Sequence, residues 1–174
     1  QQSAEAWKHT GQAAIDAIRK AGSHNTILVP GIGWDSAQGF PKLNGDALAQ
    51  LHDPDNRLVY EVHEYFDPDA SGTKPACISQ DQALGRLRPF TDWLHAHKAH
   101  GFLGEFGVSR QPECVALLRP ILSHLHENAD VWDGWTYWAA GPLWGNYMFT
   151  LEPDHGQDRP QMTAIKPFLS PTKQ

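Results

Sequence analysis

Apolar positions along the chain recur with two alternating periods. Over residues 4–21, Trp7, Ala14, Ile15 and Ile18 fall at helical spacing, and Gly22 follows as a residue suited to the end of a helix. Residues 26–31, TILVPG, are continuously apolar and β-branched up to Pro30 and Gly31, the pattern of a strand buried on both faces of a parallel sheet. A loop rich in Gly and Asp then carries Trp34 and Phe40, and residues 46–52 predict one short helix. Residues 58–67, LVYEVHEYFD, place Val59, Glu61, His63 and Tyr65 on one side of a predicted strand and Tyr60, Val62, Glu64 and Phe66 on the other.

A turn-forming stretch over 68–79 leads to a predicted helix over 82–98, with Leu84, Leu87, Phe90 and Leu94 on one face. GFLGEFGV, 101–108, predicts a strand. Residues 112–128 predict a helix with Pro112 in its first turn and a stripe of Val115, Leu118, Ile121, Leu122 and Leu125. VWDGWTYWAA, 131–140, predicts the last strand, and residues 161–169 a final helix. Strands alternating with helices imply α/β architecture built from parallel, right-handed βαβ units. No repeat, low-complexity segment or linker divides the sequence, so residues 1–174 read as one domain.

Composition narrows the function. With 40% hydrophobic and 20% charged residues, and no apolar run near the roughly 20 residues of a membrane span, the chain is expected to be globular and not membrane-bound. Its formal charge is −6, and its Lys and Arg are scattered singly, so no basic stripe is offered to a nucleic acid. Seven Trp, four Tyr and ten His exceed what a core needs; Trp and Tyr stack on flat ligands, the alternative being a Trp-rich core. The first residues lack both the basic and the apolar regions of a signal peptide, so such a signal has been removed or export does not use that route. Cys77 and Cys114 leave room for one disulfide and cannot make a zinc site by themselves; their number alone does not decide whether they pair.

In parallel α/β folds ligands bind at the carboxyl ends of the strands, where this chain places His63, Tyr65, Glu105 and Trp138. Glu105 stands between Gly104 and Phe106 in an apolar strand, where a carboxylate is costly to bury unless paired. Gly104 reads as room for an approaching ligand. On its own, Glu105 fits a structural carboxylate bonded to a loop as well as a catalytic one.

The stretches VYEVHEYFD, SGTKPAC, GFLGEFGV and VWDGWTYWAAGP, in this order, resemble the second half of glycoside hydrolase family 5, in particular its endo-β-1,4-glucanases (cellulases). The resemblance runs from the first helix to the last. It implies a TIM (β/α)8-type barrel, of which this chain supplies about four β/α units. It implies Glu105 as the nucleophile of a retaining glycosidase, Tyr65 as the hydroxyl that orients it, and His63 within the same network; a satisfied strand-end histidine is the alternative for His63. It further implies Trp138 as the floor of a sugar subsite, with Trp34 and Trp144 stacking on neighbouring loops or merely packing them. A Cys77–Cys114 disulfide, a secreted setting, a β-glucan or cello-oligosaccharide substrate, and no metal or cofactor belong to the same expectation.

The family's Asn-Glu-Pro motif, which carries the acid/base glutamate, does not occur in this sequence. The chain therefore reads as barrel strands five to eight, well short of the roughly 250 residues of a closed barrel. Glu61, Glu64, Asp67 and Asp133 stand nearby but read as structural or solvated. A half-barrel leaves two sheet edges open, which predicts a homo-oligomer or a complementing half-barrel chain. The alternatives to hydrolysis are a glucan-binding half-barrel without turnover and a self-associating fragment.

Overall fold

The computed structural model describes residues 3–169. Helix α1 spans Ala4–Lys20, and its first turn is closed by the Ser3 hydroxyl, which accepts from the Ala6 N–H at 3.2 Å. Strand β1 is Ile27–Val29. A π-helical turn, Pro41–Gly45, runs into the short helix α2, Asp46–Leu48. Strand β2 is Leu58–His63, helix α3 Gln80–His97, strand β3 His100–Phe106 and helix α4 Pro112–Glu127. Strand β4, Trp132–Tyr137, and helix α5, Pro160–Ile165, complete the order, with a 3-10 turn over Lys166–Phe168.

The four strands form one parallel sheet in the order β1-β2-β3-β4. Val62, Leu103 and Phe106 are fully buried in it, and α3 and α4 close over the sheet with Leu87, Phe90 and Leu94, and with Leu118, Ile121 and Leu122. The observed α/β alternation is that of a partial barrel. Among the described residues no further strand pairs with β1 or β4. Leu28 on β1 is correspondingly 47% exposed.

Element ends differ from the sequence pattern for local reasons. Helix α3 begins two residues earlier than the expected start at residue 82 because Ser79 and Gln82 form a capping box: the Ser79 hydroxyl accepts from the Gln82 N–H, and Gln82 Oε1 accepts from the Ser79 N–H at 3.0 Å. The second helical segment starts at Pro41 rather than Asp46 and stops before residue 52. Strand β2 stops at His63 although the alternation continues to Asp67. The register with β3 shifts between Val62 and His63, and beyond it the loop after β1 takes up the backbone: His63 donates to the Asp35 carbonyl (2.7 Å) and Ala37 donates to the His63 carbonyl (3.0 Å).

Cys77 and Cys114 are joined by a disulfide, which ties the segment before α3 to the first turn of α4. Among the described residues no helix is long and apolar enough to cross a membrane.

Candidate active site

Glu105 is the penultimate residue of β3, and the sheet register sets it opposite His63, the last residue of β2. The Glu64 N–H donates to the Glu105 carbonyl at 2.9 Å, so the chain leaves β2 alongside the end of β3. The Tyr65 hydroxyl then donates to Glu105 Oε1. The other carboxylate oxygen, Oε2, lies 4.0 Å from His63 Nδ1. All three side chains are only partly buried and open into a cavity of about 740 Å³, whose far wall includes Trp34, Asp35 and Ser36. Glu105, His63 and Tyr65 are thus brought together in one cleft.

Tyr65 is held by the loop that follows it. Asp67 is buried, and its carboxylate accepts from the N–H groups of Gly72 (3.1 Å), Thr73 (3.1 Å) and Lys74 (3.0 Å) and from the Ser71 hydroxyl (3.1 Å). This folds the SGT segment back until Gly72, at φ +67°, rests on the Tyr65 ring, where a Cβ would come within 2.9 Å of ring carbons. From α3, Arg86 donates to the carbonyls of Tyr65, Asp67 (2.9 Å) and Pro68 (3.2 Å). Burial, reinforced by the hydrogen bond to anionic Glu105, pushes the Tyr65 hydroxyl far above its ordinary pKa, so it remains a donor.

Behind His63 lies a second group of acids. His63 Nε2 is 2.9 Å from Glu61 Oε1, and the buried carboxyl of Asp35 lies within 4.8 Å of both side chains. Burial, helped by the hydrogen bond with Glu61, pushes Asp35 up to about 8. Burial also acts to raise Glu61, but hydrogen bonds from His63 and Asp35 outweigh it and hold Glu61 below the usual range. His63 is raised, first by its bond to Glu61 and further by the charges of Glu61, Glu105 and Asp35. Gly104 serves this group rather than a ligand: a Cβ there would sit 1.7 Å from Glu61 Oε1. One side-chain atom each of Asp35, Glu61 and His63 gathers within 4.8 Å, and Glu61 and His63 are paired with each other.

Of the remaining acids singled out in the sequence, Glu64, Asp67 and Asp133 are engaged elsewhere, while Asp69, which also lines the cavity, accepts from the Ser71 hydroxyl at 2.7 Å. Glu64 is buried, with its carboxyl accepting from the Gln38 N–H (3.0 Å) and the Ser36 hydroxyl (3.2 Å), and burial pushes it up to about 7. Asp67 is spent on its loop. Asp133, at the opposite end of β4, pairs with His100 Nδ1 at 2.8 Å.

Of the aromatic residues, Trp34 and Tyr65 line the cavity, whereas Trp138 and Trp144 do not and reach Tyr65 only through a chain of neighbouring rings. Trp34, in the loop after β1, is 91% exposed and lines the cavity. Trp138 lies just past β4, its N–H donating to the Phe106 carbonyl at 2.8 Å. Its ring meets Trp144 at 5.0 Å between centroids, Trp144 meets Tyr147 at 5.0 Å, Tyr147 meets Phe149 at 5.4 Å, and Phe149 stacks on Tyr65 at 5.8 Å. Tyr147 and Phe149 are absent from the reading of the sequence because they lie in a loop without periodicity. Arg86 and Asp35 are missed for similar reasons, each being a lone polar residue whose partners are distant in sequence.

Parallel β/α units whose strand-end side chains face one cleft are the architecture of the (β/α)-barrel class of proteins. The chain belongs to glycosyl hydrolase family 5, whose description is "Cellulase" and whose profile matches residues 1–141. An endoglucanase of Neurospora crassa is 45% identical over 146 residues, 83% of this chain and 37% of that protein. An endo-β-1,4-glucanase B of Aspergillus niger is 41% identical over 145 residues, 83% of this chain and 44% of that protein. Among solved structures, an endo-β-1,4-glucanase of Xanthomonas axonopodis pv. citri matches with 43% identity and a TM-score of 0.90, over 96% of this chain and 55% of that one. XacCel5A, solved in complex with cellopentaose, matches with 42% identity and a TM-score of 0.93, over 96% of this chain and 56% of that one. The chain spans roughly 37–56% of the length of these relatives.

Proposed function

We propose that this chain is the nucleophile-bearing half of a retaining hydrolase that cleaves internal β-1,4-glucosidic bonds. The observation that carries this reading is the grip on Glu105: Tyr65 donates to one carboxylate oxygen, and the other faces His63 and the open cavity. In a retaining mechanism such a carboxylate attacks the anomeric carbon, the bond from that carbon to the departing oxygen breaks, and a second carboxyl group about 5–5.5 Å away protonates that oxygen. Water then releases the sugar from the Glu105 ester, with the same carboxyl group, now a carboxylate, taking the water's proton. Tyr65 holds one oxygen of Glu105 in place for attack, and His63 stands beside the other.

The acid comes from barrel strands other than the four described, and a second copy or a complementing half-barrel chain is one source of them. The unpaired edges of β1 and β4 support that assembly. Trp138, Trp144 and Trp34 stack on glucose rings of a β-glucan or cello-oligosaccharide, and the names of the relatives support this substrate class. The disulfide supports an oxidising, extracellular setting.

An aryl β-cellobioside with a dinitrophenolate leaving group needs no acid to form the Glu105 ester, so release of the dinitrophenolate reports this half's chemistry. The purified chain is expected to hydrolyse it, and Glu105→Gln to abolish turnover; unchanged turnover in that variant overturns the assignment. A second reading, glucan binding without turnover, is favoured by the engagement of Glu61, Glu64, Asp67 and Asp133 elsewhere. It predicts cello-oligosaccharide binding that weakens in Trp138→Ala while the aryl substrate stays intact. The self-associating fragment is tested by sedimentation at several concentrations, where a persistent monomer rejects closure by a second copy.

A further inference from the structure

Two carboxyl groups gather behind His63: one side-chain atom each of Asp35, Glu61 and His63 lies within 4.8 Å of the other two, and the imidazole is the only cationic group acting on both carboxyls among the described residues. Asp35 is 7% exposed, and its Oδ1 accepts the Gly31 N–H. Glu61 reaches the same spot from β2, with Oε1 turned to His63 Nε2 at 2.9 Å. The space is reserved for it, since any side chain at residue 104 would collide with the Glu61 carboxylate. Two carboxylates in contact away from water do not both ionise; one keeps a proton and donates it to the other. Glu61 has the imidazole as a partner for its charge, whereas Asp35 is the deeper of the two and has a single backbone donor.

We propose that Asp35 is a positioning residue for the reaction assigned to Glu105: as a neutral acid it donates a hydrogen bond to Glu61, which stays ionised against His63 and so keeps an imidazolium facing Glu105. The functional meaning rests on the reading of Glu105 as nucleophile; the proton arrangement does not. The groups facing His63 are Glu61 on its own strand, Glu105 on β3 and Asp35 from the loop after β1, all acidic. Burial and Glu61 push Asp35 up to about 8, in agreement with its role as the donor. The result is a chain of contacts from Asp35 through Glu61 and His63 to Glu105, ending 4.0 Å from the carboxylate that must attack and later depart.

The test is an NMR titration of the chain labelled with ¹³C at aspartate carboxyls and ¹⁵N in histidine rings, from about pH 4 to about pH 9. At about pH 6, well above the ordinary aspartate pKa, one aspartate carboxyl is expected to remain protonated, and its signal to be absent from Asp35→Asn. The carboxamide of Asp35→Asn still donates to Glu61, so the His63 midpoint is expected to stay in place. Ionisation of every aspartate by that pH overturns the proposal. So does a fall of a unit or more in the His63 midpoint in Asp35→Asn, the outcome for an ionised Asp35. Stoichiometric displacement of the His63 signals by Zn²⁺ alone also overturns it, since a cation would then join the two carboxyls. If Asp35→Asn does not fold, the count of protonated aspartates in the parent chain still decides. None of these readings requires turnover, so a failure of the hydrolase assignment is seen separately.

Discussion

Tyr65, two residues beyond the end of β2, donates its hydroxyl to Oε1 of Glu105 on β3, so the turn after one strand controls the carboxylate of its neighbour. Tyr65→Phe removes this donor and leaves the ring on Phe149 and Gly72. Turnover of the dinitrophenyl cellobioside is expected to fall by roughly 100-fold, the scale for loss of one preorganised donor, with the urea midpoint little changed. Full activity in this variant would show that the contact does not serve the reaction.

Arg86 is the tie between α3 and that turn. Arg86→Ala leaves the carbonyls of Tyr65, Asp67 and Pro68 without their donor, and Glu64 without the guanidinium 4.0 Å away. A loss of about 2–4 kcal/mol in urea-induced unfolding is expected, together with reduced turnover as Tyr65 shifts. Arg86→Lys keeps the charge but not the fork, and is expected to recover only part of either loss. A change below about 0.5 kcal/mol in Arg86→Ala would mean that water replaces these bonds without cost.

The disulfide closes a loop with a sequence separation of 37 between Cys77 and Cys114. On the chain-entropy account its removal in a Cys77→Ala, Cys114→Ala double variant costs about 3–4 kcal/mol. Urea unfolding of the parent chain with and without reductant, set beside the double variant, measures this; equal midpoints in all samples would contradict it.

Two histidines give opposite pH dependences. His124 on α4 bonds through Nε2 to Thr91, whose hydroxyl also accepts from Trp132 Nε1 (3.0 Å) and donates to the Leu87 carbonyl (3.2 Å), so Nε2 carries the proton. Burial, with Arg88 adding to it, lowers the His124 pKa from its ordinary 6.5; Glu127 and Asp92 oppose them. Above 6.5 the ring is neutral in folded and unfolded chains alike; as the pH falls below it the unfolded chain takes up the proton first, and stability is lost. His63, raised by Glu61, works the other way: its contribution is complete below 6.5 and lost as the pH rises through its folded value. In thermal unfolding, His124→Gln is expected to flatten the acid limb and leave the alkaline limb as it was. An unchanged acid limb would remove His124 from the account.

The order of strands and helices was legible because each strand is an apolar run and each long helix carries an apolar stripe. His63, Tyr65 and Glu105 were legible as polar residues where strands end. What alternation cannot show is where pairing stops: residues 58–67 alternate throughout, yet β2 ends at His63, where the loop after β1 takes its hydrogen bonds. Asp35 belongs to that loop and reads in sequence as a turn residue beside glycine; only the folding of residues 31–37 against β2 brings it to Glu61. Gly104 had the look of an opening for a ligand, and its neighbour proves to be the Glu61 carboxylate. Arg86 lies off the apolar stripe of α3 and resembles a solvated residue, but its side chain is only 11% exposed because the turn after β2 folds over it.

Covalent trapping decides whether Glu105 is the nucleophile. A dinitrophenyl 2-deoxy-2-fluoro-β-cellobioside combines a leaving group that needs no acid with a fluorine that slows release of the ester, so the intermediate should accumulate on this half-barrel alone. Intact-mass and peptide analysis is predicted to find a single fluorocellobiosyl group on Glu105, absent from Glu105→Gln. A glycosyl group on any other carboxylate, such as Glu61 or Glu64, would rule out Glu105 as the nucleophile.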